Sequence, residues 1–377
     1  MRPDVAILGI CFSLFVLYAI HIMAFTYGWF KAKPEIKSNL HHYTFVSVVV
    51  AARNEEHNIL HLIKSLWQQN YPKEYFEIII VDDHSTDNTY TIVEEKKTFI
   101  KNLKISRLYN NQSGKRNAIR HAISLSNGNL IITTDADCIV GNNWLKSIVY
   151  TYQNKNAKFI IAPVLITDEK TFIQHYTSVE QLSLSACTIG AASLGHPVMC
   201  SSANIAFEKE FFEKIDTKIP DNIRSGFDMF WLQEAIKKSA SDISFVKSAE
   251  AAVYTKAPGS LKTFVSQHSR WASKNKFLKN LWIISTALSV VLLNTLITIL
   301  PIISCFYTKA MGVFLTLLFA KIIVDSPIMF AAMYHYKKPR LLPWYIISSL
   351  LYPFVTSIVA IFGIFGRYQW KDRNIQQ

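Results

Sequence analysis

Two apolar runs, Phe45-Val46-Ser47-Val48-Val49-Val50-Ala51 and Phe76-Glu77-Ile78-Ile79-Ile80-Val81, decide how the middle of this chain folds. Both are rich in β-branched residues and too short for buried helices, so they read as strands. Between them Ile59, Leu62, Ile63 and Leu66 recur at helical spacing within 58–69, and Tyr71-Pro72 ends that helix. Strand, helix, strand implies a parallel pair joined by a right-handed crossover. The alternation continues with a helix near Asn88–Lys97, a strand near Leu103–Leu108, a helix near Lys115–Ser126 and the apolar strand Leu130–Thr134. Near-continuous apolar strands alternating with helices predict an α/β domain, a mostly parallel sheet covered on both faces. In such sheets ligands bind beyond the carboxyl ends of the strands. Four acids fall there: Asp82 and Asp83 after one strand, Asp135 and Asp137 after another.

Half of the 377 residues are hydrophobic, and the surplus is concentrated near the N-terminus and after residue 281. Val5–Phe30 is apolar apart from His21 and long enough to span a bilayer. It is too long for the apolar region of a signal peptide, and no A-x-A-like site precedes Lys31, so an anchor is expected. Three further spans are expected at about 281–303, 312–334 and 344–365. The expected organisation is an N-terminal anchor (1–30), a linker (31–44), a catalytic domain (45–280), a C-terminal membrane tract (281–366) and a polar tail (367–377). Lys31, Lys33 and Lys37 after the anchor, Lys274, Lys276 and Lys279 before the tract, and Lys337, Lys338 and Arg340 between its second and third spans mark one common side. By the positive-inside rule that side is the cytoplasm, so an integral plasma (inner) membrane protein with a cytoplasmic catalytic domain is expected. The basic tail residues Arg367, Lys371 and Arg373 fall on the other side after three crossings, which leaves open a re-entrant or interfacial segment. Lys321 and Asp325 interrupt one span at i,i+4 spacing; a satisfied pair outweighs a transport pathway for them.

The formal net charge is +13, and residues 31–280 hold 31 basic and 24 acidic side chains. That excess suits an anionic membrane surface or a phosphate-bearing substrate, but it is too dilute for a nucleic-acid partner. Five cysteines without a CxxC pair support neither a disulfide framework nor a zinc site. His41-His42 has no third ligand nearby and reads as solvated linker.

Asp135-Ala136-Asp137 sets two carboxylates on one side of an extended turn. Hard cations, Mg²⁺ or Mn²⁺, take such oxygens together with substrate phosphates. Asp82-Asp83-His84-Ser85-Thr86-Asp87 closes another strand, and Ser85 or Asp87 is also placed to cap the helix that follows. Gly114-Lys115 opens a helix with backbone N–H groups and a cation, an arrangement suited to a diphosphate.

In order and spacing these segments resemble the family 2 glycosyltransferases of the GT-A fold, over most of residues 45–275. Ala51-Ala52-Arg53-Asn54-Glu55 is similar to the family's opening nucleotide-binding motif. Val81-Asp82-Asp83-His84-Ser85-Thr86-Asp87 resembles its second acidic motif, in which a carboxylate contacts the base and Gly usually stands where His84 is. Gly114-Lys115 with Asn117-Ala118 resembles the diphosphate segment, and Asp135-Ala136-Asp137 the metal motif. Ser201-Ser202-Ala203-Asn204 resembles the acceptor-side loop, and Gly226-Phe227-Asp228 the segment ending in the catalytic carboxylate, with Phe227 where a second acid often stands. Gln267-His268-Ser269-Arg270-Trp271 resembles the QxxRW motif of membrane-integrated polysaccharide synthases and ceramide glucosyltransferases.

The resemblance implies an inverting transfer from a nucleotide-diphosphate sugar, with a UDP-sugar expected, to a glycan, lipid or lipid-linked acceptor. It implies Asp228 as catalytic base and Ala52, Asn54, Glu55, Asp83, Lys115, Asp135 and Arg270 on the donor. Asn204, Gln267 and Trp271 fall on the acceptor, and Asp135 and Asp137 on the metal. Two plainer readings stay open: Asp228 as the N-cap of a helix over 229–237, and Trp271 as an interfacial aromatic. So do a processive synthase against a single-transfer enzyme, and a nucleotide-sugar-binding scaffold without activity.

Overall fold

The computed structural model describes residues 3–34, 40–221, 223, 226–272, 279–365, 369–370 and 373–374. Lys37, Lys274, Lys276, Arg367 and Lys371 lie outside the described residues. The N-terminal half runs α1 (Pro3–Lys31), β1 (Val46–Ala52), α2 (Ile59–Trp67), β2 (Phe76–Asp82), α3 (Thr89–Lys97), β3 (Leu103–Arg107), α4 (Lys115–Ser124), β4 (Leu130–Asp135), β5 (Ile139–Val140), α5 (Trp144–Lys155), β6 (Phe159–Ile161) and β7 (Val164–Thr167). It continues with α6 (Phe172–Ser193), β8 (Ile205–Glu208), α7 (Lys209–Asp216), α8 (Phe227–Ser239), β9 (Ile243–Phe245), β10 (Val253–Lys256), α9 (Leu261–Ala272), α10 (Leu281–Ser304), α11 (Lys309–His335) and α12 (Leu342–Phe365). The chain divides into two compact units: Lys33–Asp168, Met199–Lys256 and Trp370–Gln377 in one, Met1–Ala32, Glu169–Val198 and Ala257–Gln369 in the other.

In the first unit seven strands order as β3-β2-β1-β4-β8-β6-β9. β1 pairs parallel with both β2 and β4, and β2 with β3; β8 runs antiparallel to β4 and β6. The predicted strands and helices from β1 to β4 all form, within two residues of their expected ends. The two-sided cover follows from the period-two geometry of a strand. Val46, Val48 and Val50 enter one buried cluster with α2 and α5, whereas Val49 enters the other with α4, α7 and α8. A second sheet of β5, β10 and β7 completes the unit. Register sets the site: Ala52 pairs with Asp82 and Ala51 with Asp135, so both acidic motifs leave the sheet at one edge.

Asn204, just before β8, is completely buried. Its Nδ2 donates to the carbonyls of Pro163 at 2.7 Å and Ala251 at 2.8 Å, and its Oδ1 accepts from Trp144 Nε1 at 3.0 Å. Its amide therefore ties α5, the residue before β7 and the segment before β10 together, and its burial keeps it away from an acceptor.

The second unit is helical. Within it, α1, α10, α11 and the segment Pro339–Gly363 are long and apolar enough to cross a membrane, one near the N-terminus and three after the α/β segments, as expected. Thr171 and Gln174 form a capping box at the start of α6, and Asn280 Oδ1 caps α10 through the N–H groups of Trp282 and Ile283. α1 and α6 touch through glycine: a Cβ at Gly28 would lie 2.1 Å from the carbonyl oxygen of Gly190. Ser193 Oγ donates to the Gly28 carbonyl at 2.6 Å at the same crossing. Such close backbone approach is how helices associate where lipid removes the hydrophobic drive. The charges within α11 are paired: Lys321 Nζ lies 2.6 Å from Asp325 Oδ2, and Tyr18 of α1 donates to Asp325 Oδ1 at 2.7 Å.

Two outcomes follow. Asn204→Ala orphans Trp144 Nε1 and the Ala251 carbonyl and leaves the Pro163 carbonyl only the Val253 N–H, and is expected to cost about 2–4 kcal/mol. A thermal midpoint equal to the parent's would contradict the strut. Lys321→Met alone leaves Asp325 without its cation, and should lower the midpoint further than Lys321→Met combined with Asp325→Asn. The reverse ranking would contradict pairing as the role of these charges.

Candidate functional site

The site is built where β1, β2 and β4 end. The Asp83 N–H donates to the Ala52 carbonyl at 2.8 Å, tying the exits of β1 and β2. Asn54 adopts φ +50, and its Oδ1 accepts the Thr86 N–H at 2.9 Å. The N–H groups of Asn54 and Glu55 donate to Ser85 Oγ at 3.0 Å and Thr89 Oγ1 at 2.7 Å. The Glu55 carboxylate accepts from Asn58 Nδ2 at 2.8 Å. Ala52, Asn54, Glu55 and Asp83, expected on the donor, thus belong to one braced pair of loops. His84 takes φ +55, a left-handed conformation that costs a β-carbon-bearing residue more than glycine. Its ring Nε2 meets the Gln112 carbonyl at 3.0 Å, so the turn keeps the glycine-like backbone despite the histidine. Neither capping candidate is the N-cap of α3, which is Asn88, but Asp87 supports the first turn from the position before it: its Oδ1 accepts the Thr89 N–H at 3.0 Å.

Asp83 is buried, and its Oδ2 accepts the Gly114 N–H at 3.0 Å. Gly114, at φ +98, turns the chain into α4 in a conformation that favours glycine. Lys115 is then the first residue of α4. Its Nζ lies 2.5 Å from Asp135 Oδ1 and donates to Ser202 Oγ at 2.9 Å. The Ser202 N–H in turn donates to Asp228 Oδ2 at 3.2 Å, and Thr133 Oγ1 holds the Ser202 carbonyl at 2.6 Å. One ammonium and one serine therefore connect the expected donor carboxylate to the expected base. Burial alone would depress the Lys115 ammonium, but the carboxylates of Asp135, Asp228 and Asp137 hold it above its ordinary value. Burial raises the Asp228 carboxyl above the usual carboxylate range, against the opposing pull of Lys115.

Asp228 is the second residue of α8, whose N-cap is Gly226, so the capping alternative does not apply to it. Phe227 is buried with its ring 4.6 Å from that of Trp231. It belongs to the core, so the residue type there does not decide the proton chemistry.

Asp137 is exposed and Asp135 partly so, at the open end of β4. Among the described residues no group of three or more His, Cys, Asp or Glu side chains is placed to hold a metal. Two carboxylates flanking a buried alanine fit a hard cation that completes its shell with phosphate and water oxygens. They do not fit a closed structural site.

Asn204 departs from expectation. Its amide is consumed inside the core, as described above, and its neighbour Ser202 is the residue of that loop that reaches the site. Gln267, Arg270 and Trp271 lie on α9, in the helical unit. Trp271 is 40% exposed, with its ring 5.0 Å from that of His268. His268 is buried, and its Nε2 meets Glu180 Oε2 of α6 at 2.7 Å. Burial would lower the His268 imidazole, but the Glu180 carboxylate holds it above its ordinary value. Glu180 carried no sequence signal of its role, lying 88 residues from its partner; Ser202 stood in the acceptor-side motif, but its backbone contact with Asp228 is one that no residue type announces.

Residues 47–216 match the family described as Glycosyl transferase family 2. Among curated relatives, the glycosyltransferase AglE of Haloferax volcanii is 26% identical over 193 residues, 51% of this chain and 61% of that protein. The beta-monoglucosyldiacylglycerol synthase of a Nostoc species is 36% identical over 124 residues, 33% of this chain and 26% of that protein. The chain thus spans less than two thirds of these relatives. The fold is similar to that of the mannosyltransferase PcManGT from Pyrobaculum calidifontis, solved with GDP-Man and Mn²⁺. That likeness has a TM-score of 0.58 at 16% identity over 98% of each chain. Motif order, strand-end carboxylates and sheet topology agree with these matches: residues 47–216 are similar to glycosyl transferase family 2, and the α/β unit has a GT-A-like fold.

Proposed function

We propose that this chain is a membrane-bound, inverting glycosyltransferase that moves a sugar from a nucleoside-diphosphate sugar to a hydroxyl of a lipid, lipid-linked or glycan acceptor. The observation that carries this reading is the link Asp135–Lys115–Ser202–Asp228. It sets a diphosphate-binding ammonium between a cation-binding acid and a partly buried carboxylate. Asp135 and Asp137 would hold a divalent cation, Mg²⁺ or Mn²⁺, which supplies positive charge for the donor diphosphate. Lys115, and by resemblance Arg270, stabilise the charge that gathers on the leaving nucleoside diphosphate. The braced loops with Ala52, Asn54, Glu55 and Asp83 hold the nucleoside. Asp228 accepts the acceptor hydroxyl's proton as that oxygen attacks the anomeric carbon opposite the departing phosphate, which inverts the centre. Gln267 and Trp271 serve the acceptor side, Trp271 offering a flat apolar face.

Membrane-length helices agree with a bilayer-resident acceptor, and so does the similarity to the Nostoc beta-monoglucosyldiacylglycerol synthase. Lys31 at the end of α1 and Lys33 after it, with Lys337, Lys338 and Arg340 before α12, favour a cytoplasmic catalytic unit at the plasma membrane.

The test is transfer by the purified full chain from a panel of labelled UDP- and GDP-sugars, with membrane lipid extract as acceptor. Asp228→Asn is expected to lower turnover roughly 10²–10⁴-fold while donor binding survives. Because burial raises the Asp228 carboxyl, the parent's rate should rise with pH through a limb above the range of a free aspartate, the ionised form being the active one. Near-parental turnover in Asp228→Asn would remove that residue from the mechanism, and no transfer from any donor would remove the reading.

A further inference from the structure

The residue after Lys115 is spent differently. Arg116 is buried, and its guanidinium makes four hydrogen bonds to the end of α7 and the turn after it. Nε donates to Asp216 Oδ1 at 3.0 Å, Nη2 to the carbonyls of Asp216 and Ile219 at 3.0 Å each, and Nη1 to the Pro220 carbonyl at 2.7 Å. Asp216 also accepts from Trp231 Nε1 at 2.7 Å, pairs with Arg120 of α4, and is itself buried. Arg120 is about one-third exposed and reaches Asp221 as well, at 2.7 Å. Three elements therefore meet on one carboxylate: α4 through Arg116 and Arg120, the end of α7 through Asp216 itself, and α8 through Trp231.

Trp231 lies three residues after Asp228, on the same side of α8 and one turn along. A buried carboxylate that binds two guanidiniums and an indole fixes the azimuth of that helix more tightly than apolar packing does. Helix α4 thus carries Lys115 toward the donor and, one residue later, the guanidinium that holds the helix of the base. We infer that Asp216, with Arg116, Arg120 and Trp231, is a positioning residue for Asp228: it sets the rotation and depth of α8 against the donor-binding end of α4. The inference rests on the reading of Asp228 as base. It adds that donor-side and base-side geometry share one buried anchor remote from the reacting atoms. None of the four residues touches donor or acceptor in this role.

Asp216→Asn keeps the shape and removes the charge. Arg120→Gln removes one of the carboxylate's two guanidinium partners at a partly exposed position. Each is measured in the full-length protein for kcat, donor Kd by calorimetry with Mn²⁺ present, and thermal midpoint, beside Asp228→Asn. Asp216→Asn is expected to lower kcat about ten-fold, and Arg120→Gln a few-fold, with donor Kd within about two-fold of the parent. If Asp216→Asn does not fold, Arg120→Gln decides alone. Unchanged kcat in the folded variants while Asp228→Asn is inactive overturns the positioning role and leaves the base reading standing. Loss of kcat and donor affinity by a common factor also overturns it, because it marks a general structural defect. An active Asp228→Asn overturns the base reading on which the inference stands.

Discussion

The ammonium of Lys115 is the constraint on which the rest of the site depends. It is fixed by its place at the start of α4, and that place is fixed by Gly114, whose N–H is held by the buried carboxylate of Asp83. From there it contacts Asp135 of β4 and Ser202, and Ser202 contacts Asp228 of α8. Desolvation of Lys115 is tolerable only because several carboxylates surround it. Conversely, those carboxylates can sit close together only because the ammonium is between them. The same arrangement sets one ammonium at the start of a helix beside the strand-end carboxylates, a place where a diphosphate and a cation can both be held.

Much of this was legible in the sequence because it rests on short-range periodicity. The runs at Val46–Ala52 and Phe76–Asp82 could be recognised as strands from β-branching, and their two-sided burial from the lack of polar alternation. The acids at their ends followed from register, since a parallel sheet brings successive strand exits to one edge. The membrane-length helices were equally plain from apolar length. What stayed hidden was long-range and atom-specific. Asn204 sits in a motif-like loop, yet whether its amide faces the site or the core depends on Trp144, Pro163 and Ala251, which lie 41–60 positions away. Ser202 acts partly through its backbone N–H, which no residue type announces. Arg116 and Asp216 are 100 residues apart, and as single charges in a polar stretch each reads as a surface residue.

The helical unit repeats the lesson. Lys321 and Asp325 could be paired on paper by their spacing, but the hydroxyl of Tyr18 that completes the pair comes from α1, 307 residues away. Gly28 and Gly190 gave no signal either, because a glycine in an apolar helix is unremarkable until a second backbone approaches it. Helices α6 and α9 pack with the membrane-length helices, and the bond between His268 and Glu180 joins one to the other. The QxxRW-like motif is therefore carried by an element braced within the helical unit.

The central claim is that the Asp135–Lys115 end of the site holds a nucleoside diphosphate with the help of a divalent cation. Calorimetric titration of the full-length protein with UDP- and GDP-sugars, with and without Mn²⁺, measures this most directly when Lys115→Met is run in parallel. The account predicts that one nucleotide sugar binds with an affinity that falls at least about ten-fold when the cation is withheld or Lys115 is replaced. Equal affinity with and without the cation, and in the Lys115→Met protein, would contradict it.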